Sequence, residues 1–132
     1  MFSRITARLV AAERPLLAAH GLSMWGYIVL SELARSPAGM QADLAKAIGY
    51  DKTRLIGLLD ELERDRLITR TPEPTDRRAR RVSLTPRGRE LHGRAQTEIR
   101  VMEAEVLADL EPAQRSSLLA SLPRLADRRP AG

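Results

Sequence analysis

The chain has no cysteine. Disulfides, thiolate metal sites and cysteine-based redox sensing are therefore excluded. Aromatic residues are scarce: one Trp, two Tyr and one Phe, 3% of the chain. With 43% hydrophobic residues, the core must be built from Leu, Ile, Val and Ala, a composition that favours helices over a β-sandwich. Histidine occurs only as His20 and His92, without clustered partners, so a metal site is not expected; the expectation for cofactors is none. No apolar run approaches the ~20 residues of a membrane helix. Arg4 and Arg8 interrupt the N-terminal stretch where a signal peptide would have its apolar centre. These absences lead to the expectation of a soluble, cytoplasmic protein without membrane association. At 132 residues it is one domain, or one domain with dimerisation arms, near the size where oligomerisation helps to complete a core.

Positive charge is present but uneven. From Arg64 to Arg94 there are ten arginines and four acids, Asp65, Glu73, Asp76 and Glu90. The rest of the chain holds 12 basic and 13 acidic groups. The whole positive excess thus sits in one segment. It is arginine throughout, since Lys46 and Lys52 lie outside it. Planar guanidinium groups match phosphate and guanine edges better than ammonium does. A solvated face or an acidic protein partner would also account for such a run.

Phe2, Ile5, Leu9, Ala12 and Leu16 recur at helical spacing, with Pro15 expected to kink the helix or split off its last turn. His20-Gly21 ends it. Ser23 caps a second helix with Trp25, Ile28, Val29 and Leu33 on one side. Ser36-Pro37-Ala38-Gly39 reads as a connector. A short helix from Gln41 to Ile48 carries Leu44, Ala45 and Ile48 inward, and Gly49 stops it. Asp51 caps a fourth helix whose core stripe is Leu55, Leu58, Leu59 and Leu62. A short strand runs from Leu67 to Thr71, and Pro72-Glu73-Pro74 marks a turn. Arg81-Val82-Ser83-Leu84 alternates as a half-buried strand does, so the pair makes a hairpin with a long basic tip. Thr85-Pro86 opens a long fifth helix to about Asp109, with Leu91, Ala95, Ile99, Met102, Val106 and Leu110 on one face. Pro112 opens a sixth, with Leu118, Leu122 and Leu125, whose last turn Pro123 weakens. Arg128 to Gly132 is expected to fray.

This order is mainly α with one β-hairpin, and its middle section is a winged helix-turn-helix. A helix fits the major groove of B-DNA, and its first turn usually makes the base contacts. That turn is Asp51-Lys52-Thr53-Arg54. Lys52 and Arg54 can donate to guanine or phosphate. Thr53 can bond a base edge or a phosphate oxygen, and Gly57 lets the backbone approach closely. The alternative is an ordinary capped, solvated helix start. The hairpin adds Arg77, Arg78, Arg80 and Arg81 on a tip that can follow the backbone into a minor groove, where arginine senses width and potential. Asp76 among them is expected to brace the tip.

The chain resembles the MarR-type transcriptional regulators. The residues that carry the likeness are Gly21-Leu22-Ser23, Leu44-Ala45, Asp51-Lys52-Thr53, Leu58 to Glu63 and Leu67-Ile68-Thr69-Arg70. The most specific are Asp76-Arg77-Arg78 followed by Val82-Ser83-Leu84-Thr85 and Gly88. The resemblance implies a homodimer. Residues 1–22 and 86–127 would then be dimerisation helices, residues 23–85 the DNA-binding region and residues 128–132 a flexible tail. The interlocking arms would include Phe2, Ile5 and Leu9 with Leu107, Leu110, Leu118 and Leu122. Each winged unit would meet one half-site of a pseudo-palindromic operator, with half-sites roughly 10 bp apart. The resemblance also implies an Asp76–Arg78 salt bridge that shapes the wing, leaving Arg77 or Arg80 to enter the minor groove. It implies, further, a repressor released by a small lipophilic or phenolic ligand bound between the dimer helices and the DNA-binding part, near His20, Trp25 and Tyr27. Trp25 as a core anchor and His20 as a helix terminus are the plainer readings. Two departures stand out. Arg66 occupies a position that is usually Gly, where a non-glycine residue costs roughly 1 kcal/mol. Ile56-Gly57 replaces a polar residue and an arginine, which shifts weight to Lys52, Arg54 and DNA shape.

No His-paired nucleophile, phosphate-binding glycine loop or carboxylate–histidine repeat is present, so an enzyme is not expected. Two functions remain in view. One is a dimeric, sequence-specific transcriptional regulator. The other is a winged-helix module that binds protein or RNA through its basic wing.

Overall fold

Six helices and three strands alternate along the residues described by the structure, a computed structural model covering 2–36 and 39–126, without the side chains of Phe2, Arg77 and Ala126. Pro37, Ala38 and the tail Arg128 to Gly132 lie outside the described residues. The elements are α1 (Phe2–Ala19), α2 (Met24–Arg35), β1 (Gly39–Met40), α3 (Gln41–Ile48) and α4 (Lys52–Arg64). β2 (Ile68–Glu73), β3 (Asp76–Leu84), α5 (Pro86–Val106) and α6 (Pro112–Ala126) follow.

Helix α1 runs through Pro15 without the expected loss of its last turn. Proline removes one backbone bond there, but Leu17 beyond it is 1% exposed, and its burial holds the final turn in place. Gly21, at φ +72°, ends the helix. The Leu22 amide donates to Leu17 O at 2.9 Å and the Gly21 amide to Ala18 O at 2.9 Å, a Schellman closure. Ser23 Oγ then accepts from the Gly26 amide at 3.0 Å and starts α2.

The buried face of α2 is Gly26, Val29, Leu30 and Leu33, rotated from the face expected. Trp25 is not a core anchor; it is 39% exposed. Residues 24–30 are apolar almost all round, so two overlapping stripes compete. Gly26 lies on the buried side, where an added Cβ would come 3.1 Å from Ser23 Oγ, the oxygen that caps the helix.

The three strands form an antiparallel sheet in the order β1-β3-β2. β1 lies in part of what reads as a connector; Gly39 pairs with Val82 and Met40 with Arg81. The hairpin is also longer than expected. β2 continues through Pro72 to Glu73, and only Pro74-Thr75 turns. Proline is tolerated because β2 is an edge strand. Pairing runs from Ile68↔Leu84 to Pro72↔Arg80, then jumps to Glu73↔Asp76, so residues 77–79 are extra on β3 and bulge at the tip. The basic segment is therefore mostly strand, not loop.

Leu17, Val29, Leu30, Leu55, Leu59, Ile68 and Val82 form the driest part of the core. Thr85 joins the sheet to α5. Its hydroxyl donates to Arg66 O at 2.6 Å and accepts from the Gly88 amide at 2.9 Å. Helix α5 buries His92, Ala95, Ile99 and Met102. Helix α6 is exposed along nearly all its length and continues through Pro123.

Candidate nucleic-acid interface

The first turn of α4 is fixed from both sides. Asp51 Oδ2 accepts from the Arg54 amide at 3.0 Å, and Leu55, Leu59 and Leu62 are buried beneath it. Lys52, Thr53, Arg54 and Gly57 consequently share the outward surface, all exposed. A Cβ at Gly57 would meet nothing within 4 Å, so packing within the chain does not require glycine there. Ile56, also exposed at 46%, adds an apolar contact surface to the same turn.

The wing arginines divide into two kinds. Arg81 is tied to Glu73 across the hairpin, its Nε and Nη2 donating to Oε2 at 3.0 and 2.7 Å. Arg78 and Arg80 are exposed, and among the described residues they make no ion pair; neither do Lys52 and Arg54. The side chain of Arg77 is outside the described set. Asp76 Oδ1 accepts from the Arg78 backbone amide at 3.0 Å. An Asp76–Arg78 ion pair is not found among the described residues. The carboxylate holds the backbone of the tip and leaves the Arg78 guanidinium outside that contact.

Arg70 lashes the base of the wing to α4. Its amide donates to Glu63 Oε2 at 3.0 Å and its Nη2 to Glu63 Oε1 at 3.0 Å, with a further bond to Asp60. The guanidinium hydrogen bond holds the Glu63 carboxyl below the usual carboxylate range. Helix and wing are thereby set at a fixed angle. Between them lies a cavity of about 230 Å³ whose lining brings Lys52, Ile56, Arg78 and Arg80 together with Gln41. Gln41 Oε1 is buried without a hydrogen-bond partner among the described residues. Gln41 lies well before the basic segment in sequence, and its place in this cavity depends on tertiary packing that periodicity cannot supply.

His20, Trp25 and Tyr27 go to three different places. His20 Nε2 meets Glu98 Oε2 at 2.7 Å, joining the end of α1 to α5. Tyr27 stacks on His92, with centroids 5.3 Å apart and an interplanar angle of 21°. Trp25 packs on Tyr50 at 4.4 Å between ring centroids. It also lines an open cleft of about 590 Å³ with Arg14, Leu17, Leu22, Met24 and Ile28. Tyr50 in turn lies under the Arg54 guanidinium, 5.9 Å from Cζ to ring centroid. No sequence signal singled out Tyr50, an isolated aromatic in a turn.

The arrangement is matched by known proteins. A family model described as MarR family matches residues 20–79. The homoprotocatechuate degradative operon repressor of Escherichia coli is 35% identical over 100 residues, 73% of this chain and 68% of the relative. A MarR-family transcriptional regulator from Rhodococcus sp. RHA1 superposes with a TM-score of 0.83 at 26% identity, over 95% of this chain and 89% of that one. The transcriptional repressor CouR, solved bound to a 23-mer DNA duplex, gives a TM-score of 0.82 at 28% identity over the same shares. The helix-turn-helix with its arginine wing, the family model and these relatives agree: the chain belongs to the MarR family of winged helix-turn-helix transcriptional regulators.

Proposed function

We propose that the chain is a dimeric, sequence-specific repressor that places α4 in the major groove and the hairpin wing along the adjacent backbone. The observation that carries this is that Lys52, Arg78 and Arg80 line one cavity between α4 and the wing, with Arg54 exposed on the same first turn as Lys52, and none of the four is neutralised by an acid among the described residues. Elsewhere, Arg70 and Arg81 are neutralised and serve the frame. Lys52, Thr53 and Arg54 make the base-side contacts, with Gly57 admitting the backbone. Arg77, Arg78 and Arg80 supply backbone and minor-groove contacts, and Asp76, Glu73 and Arg81 hold the wing's shape. The likeness to a DNA-bound repressor over nearly the whole chain supports this reading.

Release by a small lipophilic or phenolic ligand belongs to the same proposal. The cleft beside Trp25 is mostly apolar and has one guanidinium, from Arg14, in its lining. That combination suits an aromatic body carrying an acidic or phenolic group. The E. coli relative is named for an operon that degrades such a compound.

Fluorescence anisotropy with duplexes from the DNA upstream of the protein's own gene tests the DNA reading. Binding should prefer one duplex over random DNA and weaken steeply between about 50 and 200 mM salt. Arg80→Ala should weaken all duplexes alike and lower the salt slope by about 1. Arg54→Ala should cost about 1–3 kcal/mol and relax one base position. Equal affinity for every duplex would sink the proposal.

A further inference from the structure

The turn between α3 and α4 places an aromatic ring, Tyr50, between Trp25 of α2 and Arg54 of α4. Gly49 adopts φ +67°, the Tyr50 amide donates to Ala45 O at 3.0 Å, and Asp51 caps α4. These backbone contacts already define the turn. The Tyr50 ring is partly buried against the core and makes two further contacts. One side meets Trp25 at 4.4 Å, and Arg54 lies over the ring at 5.9 Å. Trp25 itself is 39% exposed, although burying so large a ring would be the usual outcome. Two of the four aromatic residues of the chain thus meet beside the first turn of α4.

We propose that Tyr50, backed by Trp25, is a positioning residue that sets the geometry from which Arg54 reads a base. This rests on the reading of Arg54 as a base contact. An exposed arginine has many rotamers, and ordering it at a base edge loses that freedom. A ring beneath the guanidinium holds it near one orientation before DNA arrives, without neutralising its charge as a carboxylate would. Asp51, the nearest acid in sequence, has its Oδ2 engaged by the Arg54 amide, so the ring supplies the restraint on the side chain. Trp25 in turn limits where the Tyr50 ring can swing. Base discrimination therefore depends on a residue of α2, outside the helix that makes the contact.

The test uses the full chain and a duplex enriched by the wild-type protein from a random-sequence pool, with all its single-base variants. Arg54→Ala identifies the base position that Arg54 reads. Tyr50→Leu should lose discrimination at that position by about two- to fivefold, the scale of an exposed cation–π contact. Tyr50→Phe, which keeps the ring, should retain it. Trp25→Leu, an exposed change that leaves the core alone, should lose part of it at the same position. Trp25 is the only tryptophan, so its emission should shift in Tyr50→Leu and not in Tyr50→Phe. If Tyr50→Leu and Trp25→Leu keep full discrimination, or lose it equally at every position, the positioning role is wrong while the Arg54 reading stands. If Arg54→Ala leaves every base preference intact, the underlying reading fails and the proposal with it.

Discussion

Arg66 leaves α4 at φ +62°, a left-handed backbone where the resemblance leads one to expect glycine. The conformation is held by its neighbours. The Arg66 amide donates to Glu63 O at 3.0 Å, and its carbonyl accepts from Thr85 Oγ1 at 2.6 Å. A side chain in this region costs roughly 1–2 kcal/mol, while glycine would add unfolded-state entropy worth about 0.4–1 kcal/mol. Arg66→Gly should therefore stabilise the protein by about 0.5–1 kcal/mol, seen as a higher urea midpoint with an unchanged slope. A lower midpoint would show that the position is not strained. Gly88 is the converse case. It lies in ordinary helix, yet a Cβ there would come within 2.0 Å of Leu67 O. Glycine is needed at 88 for space, whereas at 66 it would be favoured for backbone freedom.

Where α2 crosses α5, the chain buries a polar group. His92 is 6% exposed, with Nε2 2.9 Å from Ser31 Oγ and its ring against Tyr27. Burial first, and the Arg100 charge second, push its pKa below the usual imidazole value. The folded protein thus prefers neutral His92, and the unfolded chain takes up the proton more readily. The resulting stability is complete above the unfolded value of about 6.5 and is lost as pH falls from there through the lowered folded value. Glu13 opposes this trend at lower pH, because burial and then Glu103 raise its carboxyl. The comparison that isolates His92 is the melting temperature of wild type against His92→Gln from pH 7.5 to 5.5. The wild type should fall more steeply. Parallel curves would remove His92 from the pH response. This interface also marks the limit of what the sequence discloses. The caps Ser23, Asp51 and Thr85 are legible because each is a local hydrogen bond, and all three form. The face of α2 is not, because apolar residues nearly surround its first half. β1 is too short for alternation to register, and strand residues 76–80 are hidden by their charge. At the candidate site, exposure of Lys52, Arg54, Arg78 and Arg80 follows from pattern alone. The pairing of Arg81 with Glu73 and the place of Tyr50 under Arg54 arise from contacts between segments, which periodicity does not encode.

At the scale of the whole molecule, most of the exposed large apolar side chains among the described residues lie on α1, α5 and α6. Leu118, Leu119, Leu122 and Leu125 are exposed on α6, the last at 66%, as are Ile5 on α1 and Val101 on α5. Such a surface on one chain calls for a partner, and the proposed homodimer supplies it from a second copy, in an isologous contact. Two glutamates placed on that face, Leu119→Glu with Leu122→Glu, should then leave helicity largely intact, since α6 contributes little to the core of the described chain. Sedimentation should show a dimer for the wild type and a monomer for the double variant. Operator affinity should fall about 100-fold or more, because two linked winged units bind the second half-site at high effective concentration and separate ones do not. Affinity for a single half-site should change far less, which separates loss of assembly from damage to the DNA-binding surface. A double variant that still sediments as a dimer would place the interface elsewhere and leave the leucines of α6 without this role.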